Sequence, residues 1–292
     1  MVDLHIHTTC SDGLFSADNI LKMAEQVNCK YISITDHNTC EAYQFVRQSN
    51  LFSGKIVSGC EFSTFCCGIP IELLGYDFDI DRMQDCIKNL YRFTPMELRD
   101  IQKALFFEAC TRNKVKFKVK IDRDSAKMWG SDYLFSCIHD FDDNQVFFDS
   151  IDDFNNVKRF YRKYISNSGS AFYCDMSKYY PSPEDIISSI HECHGKVFIP
   201  HIFEYLSIYD KLLETLVSSF YIDGLECYYS KYTASQQQDA VIYAMKHKLL
   251  RSGGSDFHSG NTIKLGVGKG NLRIRPEEIG EWLYNARNWN SN

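Results

Sequence analysis

The sequence predicts an α/β fold: a barrel of alternating strands and helices, interrupted by an inserted, mainly helical subdomain. Two observations predict the barrel. Apolar, strand-like runs alternate with helical stripes through residues 1–78 and again through residues 182–256, as in parallel α/β folds. Ionisable residues follow several of these runs, at the strand ends that meet on one face of a barrel. The helical, aromatic and acidic texture of residues 82–172 predicts the insertion.

The first strand carries the residues on which the rest of the prediction depends. In residues 2–7, apolar side chains alternate with Asp3, His5 and His7, which is the period of a β-strand. His5 and His7 therefore point to the same face, where two imidazoles can chelate one metal ion. Asp12 follows across a short turn and adds an oxygen ligand nearby. Because a lone His-x-His pair is a weak signal, the prediction also needs the later motifs.

Four motifs far along the chain place further metal-ligating residues at strand ends. Each follows an apolar run, and together they supply His37, Glu61, His201, Asp256 and His258. In a barrel these residues line a single pocket. So many ionisable groups are costly to bury together unless cations neutralise them. The sequence therefore predicts a metal-rich pocket.

The elements of the first part alternate as a barrel requires. Ser16 suits the N-cap of a helix whose apolar stripe runs over residues 20–27. The elements predicted after it are a strand ending at His37, a short helix over 41–49, a strand ending at Glu61, a turn at 66–68 and a strand over 70–78.

The alternation resumes at Ser182, which precedes Pro183 and Glu184 in the order of a helix N-terminus. The elements predicted to follow are a strand ending at His201, a helix over 205–220, a strand over 223–229, a helix over 233–247, a strand leading to Asp256 and a final helix that starts at Pro276 and contains Trp282 and Leu283.

We expect a discontinuous barrel domain, residues 1–92 and 173–292, with residues 93–172 forming a subdomain that caps the barrel mouth. Within the insertion, residues 114–121 alternate lysine with apolar residues, which predicts a strand with four lysines on one face. Such a face indicates either a solvated edge strand or a contact with a phosphate backbone.

The composition excludes some classes of protein. Of the 292 residues, 44% are hydrophobic and 24% charged, and the net charge is −6, so no global basic field for nucleic-acid coating exists. No apolar run approaches the ~20 residues of a membrane span. Twelve scattered cysteines without metal-knuckle spacing indicate reduced thiols. We therefore expect a cytoplasmic protein without a signal peptide or an obligate protein partner.

These motifs resemble those of the PHP family, named after its polymerase and histidinol-phosphatase members. The resemblance is carried, in family order and over nearly the whole chain, by residues 3–13, 34–38, 59–63, 73–76, 198–201 and 253–258. It implies a distorted (β/α)7, TIM-like barrel that binds two or three divalent metal ions and hydrolyses phosphate esters. The insertion and the last motif most resemble the stand-alone bacterial branch, whose substrates are nucleoside 3′,5′-bisphosphates, short oligonucleotides or cyclic sugar phosphates.

The resemblance also implies a ligand set at the matched positions. The first metal would be surrounded by His5, His7, Glu61 and Asp256; Glu61 would bridge to a second metal that also takes His201; and a third would be held by Asp12, His37 and His258. The family often has histidine where this chain has Glu72, so a carboxylate would favour a harder ion there or leave the second site weak. We expect His201, His258 and Asp256 to serve catalysis directly.

The expected reaction is hydrolysis of a phosphate ester by a metal-bound hydroxide, with Mn, Zn or Fe as the metal. The expected substrate is a small nucleotide or sugar phosphate. Two alternatives stay open: a histidinol-phosphate-type phosphomonoesterase, and an amidohydrolase-type C–N hydrolase, which would usually need a lysine ligand. A non-catalytic metal-binding module is disfavoured, because nearly all ligands are present.

Substrate contacts are harder to predict. We expect Lys231 and Arg99 to hold a phosphate and Tyr229 to stack on a base, although Lys231 is equally compatible with a solvated loop and Tyr229 with packing. Further basic candidates are Arg112, Lys118 and Arg123. His191 and His194 are expected to be structural, and His139 and His247 are expected to be surface or core residues.

Overall fold

The protein has a mixed α/β fold. Its computed structural model describes residues 1–47, 49–120 and 130–289. The strands within these ranges are β1 (Val2–Ile6), β2 (Tyr31–Ile34), β3 (Lys55–Ile56), β4 (Gly59–Cys66), β5 (Ile69–Tyr76), β6 (Lys196–Ile199), β7 (Gly224–Tyr229) and β8 (Leu250–Gly254). The α-helices are α1 (Ala17–Gln26), α2 (Ala42–Val46), α3 (Ile80–Leu90), α4 (Pro95–Arg112), α5 (Gly130–His139), α6 (Ile151–Phe154), α7 (Pro183–Glu192), α8 (Tyr209–Ser219), α9 (Ala234–Lys246), α10 (Pro276–Ile279) and α11 (Glu281–Asn285).

The chain forms two compact units. The first unit contains Met1–Thr64, Glu72–Leu90 and Ser182–Asn292, and the second contains Phe65–Ile71 and Tyr91–Pro181. In the part of the chain that the structure describes, no helix combines the length and apolar character needed to cross a membrane. The capping role predicted for residues 93–172 stays a prediction.

The first unit is built on two groups of paired strands. One sheet has the order β1-β2-β3 and is parallel, and the other has the order β4-β5-β6-β7-β8, in which β6, β7 and β8 are parallel. β5 pairs antiparallel with β6, which departs from the all-parallel arrangement predicted from the sequence. The reason is the two-residue turn between β4 and β5. Cys67 and Gly68, at φ 53° and 79°, reverse the chain there.

Single parallel bridges connect segments at the edges of the two sheets. Ile6 of β1 pairs with Phe257 beyond β8, and His37 beyond β2 pairs with Glu61 of β4. The amide of His7 donates to the carbonyl of Phe257 at 2.9 Å. Both bridges involve residues adjacent to, or among, the predicted metal ligands. Backbone pairing therefore fixes the backbone positions from which those side chains extend.

Local signals in the first unit gave the expected helix starts. The Ser16 hydroxyl accepts a hydrogen bond from the amide of Asn19 at the start of α1, and Ser182 forms a reciprocal capping box with Asp185 at the start of α7. Helix α1 buries Ile20, Leu21 and Ala24 within the unit. These two predicted starts are confirmed because capping depends on residues within a few positions of one another.

Three predicted boundaries in the first unit were wrong. Glu61 lies inside β4 rather than beyond a strand end, because the strand predicted before it is split into β3 and β4. The helix predicted over 205–220 begins at Tyr209, after an irregular 3₁₀ stretch over Ile202–Ile208 that is kinked at Leu206. The final helix is split into α10 and α11 at Gly280, where φ is 103°.

The second unit has an aromatic core of its own. Phe106 of α4 stacks on Phe172, with ring centroids 6.1 Å apart, and Phe160 packs against both. The further buried members include Cys110, Leu134, Phe135, Ile138, Phe148, Phe154 and Ile165. The Thr94 hydroxyl and the Glu97 carboxylate form a capping box that begins α4.

The lysine-rich segment of the second unit is not a paired strand, so this prediction was wrong for residues 114–120; Ile121 lies outside the described residues. The amide of Lys118 donates to the carbonyl of Cys137 at 2.9 Å. The Asn144 side chain accepts a hydrogen bond from the Lys116 amide and donates one to the Lys116 carbonyl. These side-chain and helix contacts replace a neighbouring strand. Lys116 and Lys120 are ion-paired with acidic residues of the same unit, Asp143 and Asp140.

Candidate metal centre

The first strand brings His5 and His7 into the interior. Both side chains are buried, and all of β1 is buried on both faces. Asp3, on the same face of the strand, accepts hydrogen bonds from the Ser255 amide at 2.8 Å, the Ser255 hydroxyl at 2.6 Å and the Gly266 amide at 2.7 Å. This carboxylate therefore ties β1 to the segment that carries Asp256.

The first ligand cluster consists of His5, His7 and Glu61. Nε2 of each imidazole lies 3.3 Å from Oε2 of Glu61. Oδ1 of Asp256 lies 3.7 Å from Nε2 of His5 and 3.4 Å from Nε2 of His7. Two imidazole nitrogen atoms and two carboxylates thus face a common point.

The second cluster consists of His7, Asp12, His37 and His258. Oδ2 of Asp12 lies 3.2 Å from Nε2 of His258 and 3.6 Å from Nε2 of His37, while its Oδ1 lies 3.5 Å from Nδ1 of His7. Nδ1 of His258 also lies 3.3 Å from Oδ1 of Asp256. His7 therefore has one ring nitrogen towards each of the first two clusters.

The third cluster consists of Glu61, Glu72 and His201. Nε2 of His201 lies 2.9 Å from Oε1 of Glu61, the oxygen not directed at the first cluster. Tyr205 donates its hydroxyl proton to Oε2 of Glu72 at 2.9 Å and accepts from the Glu72 amide at the same distance. In each cluster, one ligand atom from every member lies within 4.8 Å of the others.

The imidazoles have nitrogen atoms that the described part of the protein leaves without a hydrogen bond. They are Nε2 of His5, both ring nitrogens of His7, Nδ1 of His37 and Nδ1 of His201, all buried. Buried polar atoms of native proteins almost always have a partner. Four of these five nitrogen atoms belong to the first two clusters, and carboxylate oxygens face them. Mixed imidazole and carboxylate donors of this kind fit Zn, Mn or Fe.

Electrostatics in the centre favour the charged forms of both partners. Burial lowers the pKa of His7, but the nearby carboxylates of Asp256, Glu61 and Asp12 outweigh burial and raise it to about 10. Burial would raise the pKa of Glu61, Asp256 and Asp12, yet the surrounding histidines hold all three below their usual range. Without a cation, protonated imidazoles therefore compensate the negative charge of the buried carboxylates.

Two site residues have backbones in the left-handed region. His201 has φ 26° and Asp256 has φ 55°. Asp256 lies within the usual left-handed well, whereas the φ of His201 falls outside it and needs support from its surroundings. The His201 amide receives that support by donating to Oε2 of Glu226 at 2.8 Å.

The structure brings together all nine residues predicted from the sequence as metal ligands: His5, His7, Asp12, His37, Glu61, Glu72, His201, Asp256 and His258. Of the predicted substrate contacts, Lys231 lies beside the centre, with Nζ 3.5 Å from Oδ2 of Asp256. Arg99 lies on α4 of the second unit. Arg123 lies outside the described residues.

The structure corrects the expectation for Tyr229. Its side chain is 1% exposed and its hydroxyl donates to Oδ2 of Asp256 at 2.8 Å, so its ring is packed rather than open to a base. Lys231 Nζ lies over this ring, 5.3 Å from the centroid. The hydrogen bond from Tyr229 therefore orients Asp256, a predicted ligand.

Sequence reasoning missed the residues that hold the ligands in place. Asp36 accepts hydrogen bonds from the Thr8 amide and from the hydroxyls of Thr8 and Ser11, which fixes the loop carrying Asp12. Glu226, fully buried in β7, contacts His5. A signal for Glu226 was present, because an ionisable residue between Leu225 and Cys227 is unusual in an apolar strand.

The chain is similar to known proteins in sequence. The family model described as PHP domain matches residues 3–224. The 5′-3′ exoribonuclease Rnm of Salmonella typhimurium is 24% identical over 270 residues, which cover 88% of this chain and 84% of that protein. The phosphoribosyl 1,2-cyclic phosphate 1,2-diphosphodiesterase of Eggerthella lenta is 23% identical over 262 residues, which cover 88% of this chain and 93% of that protein.

Solved structures resemble the fold over nearly the whole chain. An amidohydrolase from Chromobacterium violaceum, with bound sulfate and no metal, superposes with a TM-score of 0.65 at 16% identity, covering 98% of this chain and 95% of that one. A Bifidobacterium adolescentis protein named as a metal-dependent phosphoesterase gives a TM-score of 0.59 at 18% identity, covering 95% and 93%. With the family match over more than half of its length, this chain belongs to the PHP domain family of metal-dependent phosphoesterases.

Proposed function

We propose that this protein hydrolyses a phosphate ester of a small nucleotide substrate, using two or three divalent ions held by the nine predicted ligands. The observation that carries the proposal is the sharing of ligands between clusters: His7 belongs to the first and second, and Glu61 to the first and third. Shared ligands support closely spaced ions, which is the arrangement that phosphate-ester hydrolysis uses. The single bridges between the sheet edges support, in addition, a closed but distorted barrel.

The ions, when bound, would supply Lewis acidity and lower the pKa of a water molecule to near neutrality. The chain's own residues determine where a substrate enters. His5 and His7 have no exposed side-chain surface, whereas His37 and His258 are 28% and 27% exposed. The substrate phosphate therefore approaches on the side of His37 and His258. Lys231, 35% exposed, supplies a fixed positive charge at this edge.

We assign the three predicted catalytic residues a shared task. His201, His258 and Asp256 hold the ions in position, and the Asp256 carboxylate is in turn oriented by Tyr229 and Lys231. The phosphate contact expected of Arg99 stays a prediction from the sequence. We propose Mn, Zn or Fe as the metal, because the donors combine imidazole and carboxylate.

For the substrate we propose a short 5′-phosphorylated oligoribonucleotide as the first choice. The supporting observation is that three relatives, from Salmonella typhimurium, Escherichia coli and Haemophilus influenzae, are named 5′-3′ exoribonucleases, with 23–25% identity over 88% of this chain. The Eggerthella lenta relative makes a cyclic phosphate the second candidate. Nucleoside 3′,5′-bisphosphates and simple monoesters such as histidinol phosphate complete the set to be tested.

Amidohydrolase chemistry has less support. The likeness to the Chromobacterium violaceum structure concerns the fold, which hosts several chemistries. Among the described residues, the three ligand clusters contain no lysine. We further propose a reducing, cytoplasmic location, since all twelve cysteines are free thiols.

The test is phosphate or nucleotide release by the purified protein with added Mn²⁺, Zn²⁺ or Fe²⁺. The substrates are p-nitrophenyl phosphate, a short 5′-phosphorylated RNA, a cyclic phosphate and a bisphosphonucleotide. We expect His7→Ala and Asp256→Ala to lower kcat/KM by roughly a thousandfold, since losing several kcal/mol of charge stabilisation has that effect. His247→Ala, at an exposed position on the end of α9, is the control and should retain activity. No release from any substrate with any of the metals would contradict the proposal.

A further inference from the structure

Glu226 is a buried carboxylate that connects two of the ligand clusters without belonging to either. Its Oε1 lies 3.0 Å from Nδ1 of His5, and its Oε2 accepts a hydrogen bond from the backbone amide of His201 at 2.8 Å. The residue has no exposed surface. His5 and His201 each have their Nε2 directed at Glu61, at 3.3 Å and 2.9 Å. One side chain thus contacts ligands on two sides of the bridging Glu61.

The contact with His5 determines which ring nitrogen can bind a metal. The carboxylate oxygen of Glu226 accepts a hydrogen bond from the Nδ1 atom that faces it, so Nδ1 carries the ring proton. In the neutral ring, Nε2 then has a free lone pair, and it is Nε2 that faces Glu61 and Asp256. Carboxylates behind metal-binding histidines fix the tautomer and ring orientation in this way.

The contact with His201 holds an unfavourable backbone. His201 has φ 26° and ψ 45°, a conformation that non-glycine residues rarely adopt. The amide that donates to Glu226 belongs to this residue, and its side chain packs 5.7 Å from the His5 ring, centroid to centroid. Loss of the acceptor would leave a buried amide unsatisfied at a strained position.

We propose that Glu226 is a positioning residue of the metal centre: its two carboxylate oxygens fix the tautomer of His5 and the backbone of His201 together. The inference rests on the proposed metal centre. Both partners are N–H donors, so the position requires two acceptors. Glutamine has the same shape but only one acceptor oxygen. Its NH₂ group would face either the His201 amide or Nδ1 of His5, and the second choice would force the His5 proton onto Nε2.

A matched control lies at the start of the same strand. The carboxylate of Asp223 also accepts from a histidine ring, Nε2 of His191 at 2.8 Å, and from a backbone amide, that of Val197 at 2.8 Å. Asp223 precedes β7, and neither Asp223 nor His191 belongs to a ligand cluster. Both contacts are made by Oδ2, so the single amide oxygen of Asp223→Asn can still accept both bonds, and the variant makes the same acid-to-amide change away from the centre.

The experiment measures Zn²⁺ and Mn²⁺ affinity by chelator competition for the wild type, Glu226→Gln, Glu226→Asp and Asp223→Asn. We expect Glu226→Gln to weaken binding about 10- to 100-fold, the usual cost of losing such a supporting group. Glu226→Asp, which keeps both acceptors on a shorter stem, should lose less, and Asp223→Asn should bind as the wild type does. A folded Glu226→Gln protein with wild-type affinity would overturn the role of Glu226, and so would an equal loss in Asp223→Asn.

A second measurement does not depend on any variant folding. In the Zn²⁺-loaded wild type, long-range ¹⁵N correlation spectra should show the His5 proton on Nδ1 and none on Nε2. A proton on Nε2 would overturn the inference, while metal binding itself would still support the centre. If the wild type bound neither Zn²⁺ nor Mn²⁺, the proposed function would fail first. The two failures are therefore distinguishable.

Discussion

The hydroxyl of Tyr229 donates a hydrogen bond to Oδ2 of Asp256 at 2.8 Å, and the other oxygen of that carboxylate lies 3.4 Å from Nε2 of His7. A residue at the end of β7 thus orients a proposed ligand that follows β8. The backbone of Asp256, at φ 55°, turns the carboxylate towards the centre. Tyr229 keeps it there, because its own ring is packed against His201 and Tyr232.

Tyr229→Phe should weaken the centre without disturbing its packing. The ring stays, and only the hydrogen bond to Asp256 is lost. Hydrogen bonds to charged groups contribute about 1.5–3 kcal/mol, so we expect metal affinity and kcat/KM to fall roughly tenfold or more. Calorimetric metal titration and steady-state kinetics measure this. Tyr221→Phe, at a site 74% exposed, should change neither quantity; equal values for Tyr229→Phe and the wild type would count against the role of the hydroxyl.

Lys231→Gln should affect substrate binding more than turnover. Its Nζ lies at the partly exposed edge of the centre, 3.5 Å from Asp256, where a phosphate would add a second negative charge. We expect KM for a phosphorylated substrate to rise about tenfold at low salt, with less effect as salt screens the contact. Kinetics at several ionic strengths check this.

The control for Lys231 is Lys246→Gln, on the exposed surface of α9. It removes the same charge from the same unit at a position outside the three ligand clusters. A similar rise in KM for both variants would indicate a general charge effect and would contradict a phosphate contact at Lys231.

Glu72→Ala should remove one ion. Glu72 is one of three members of the third cluster and has its carboxylate oriented by Tyr205. Since the other two members, Glu61 and His201, are too few to hold an ion tightly, the metal content should fall by one equivalent. Elemental analysis after dialysis measures this content, with Glu192→Ala, at an exposed position in the last turn of α7, as the control. Glu72→His should retain the ion and shift preference from Mn²⁺ towards Zn²⁺; unchanged stoichiometry in Glu72→Ala would exclude Glu72 as a ligand.

Metal affinity should rise with pH. Burial lowers the pKa of His7, but Asp256 and Glu61 raise it to about 10. The metal-free protein therefore keeps this imidazole protonated at neutral pH. A metal must displace that proton, and each displaced proton steepens the dependence by up to about tenfold per pH unit. Titration calorimetry in buffers of different ionisation enthalpy counts the protons released. The prediction would be contradicted if no protons were released between pH 7 and 9, below the His7 pKa of about 10.

The stability of the metal-free protein should change in the opposite direction. A group whose pKa is raised on folding stabilises the fold fully below its unfolded pKa, about 6.5 for histidine. That contribution is lost as the pH rises through the folded value of about 10. Urea unfolding at several pH values, with chelator present, should therefore show falling stability in this window. His7→Asn should show a smaller decline, and a variant curve parallel to the wild type would count against His7 as the source.

Much of the candidate site could be predicted from the sequence because its proposed ligands lie in short local patterns. His5 and His7 share a strand face by alternation, and the residues from Gly253 to His258 follow an apolar run. Residue type and strand ends are local properties. The antiparallel pairing of β5 and the unpaired lysine segment were not predictable in the same way, because each depends on contacts made elsewhere: the reversal at Cys67 and the Asn144 side chain.

The sequence by itself determined which residues could bind cations and the α/β pattern that carries them. Only the tertiary structure decided which ring nitrogen of His5 faces the centre, that Tyr229 is packed rather than open, and that Glu226 contacts two ligands at once. Alternation places a side chain on a face, but tautomers and hydrogen bonds depend on distances of about 3 Å between strands far apart in sequence. Those distances are set by how the strands pack, and no local pattern encodes them.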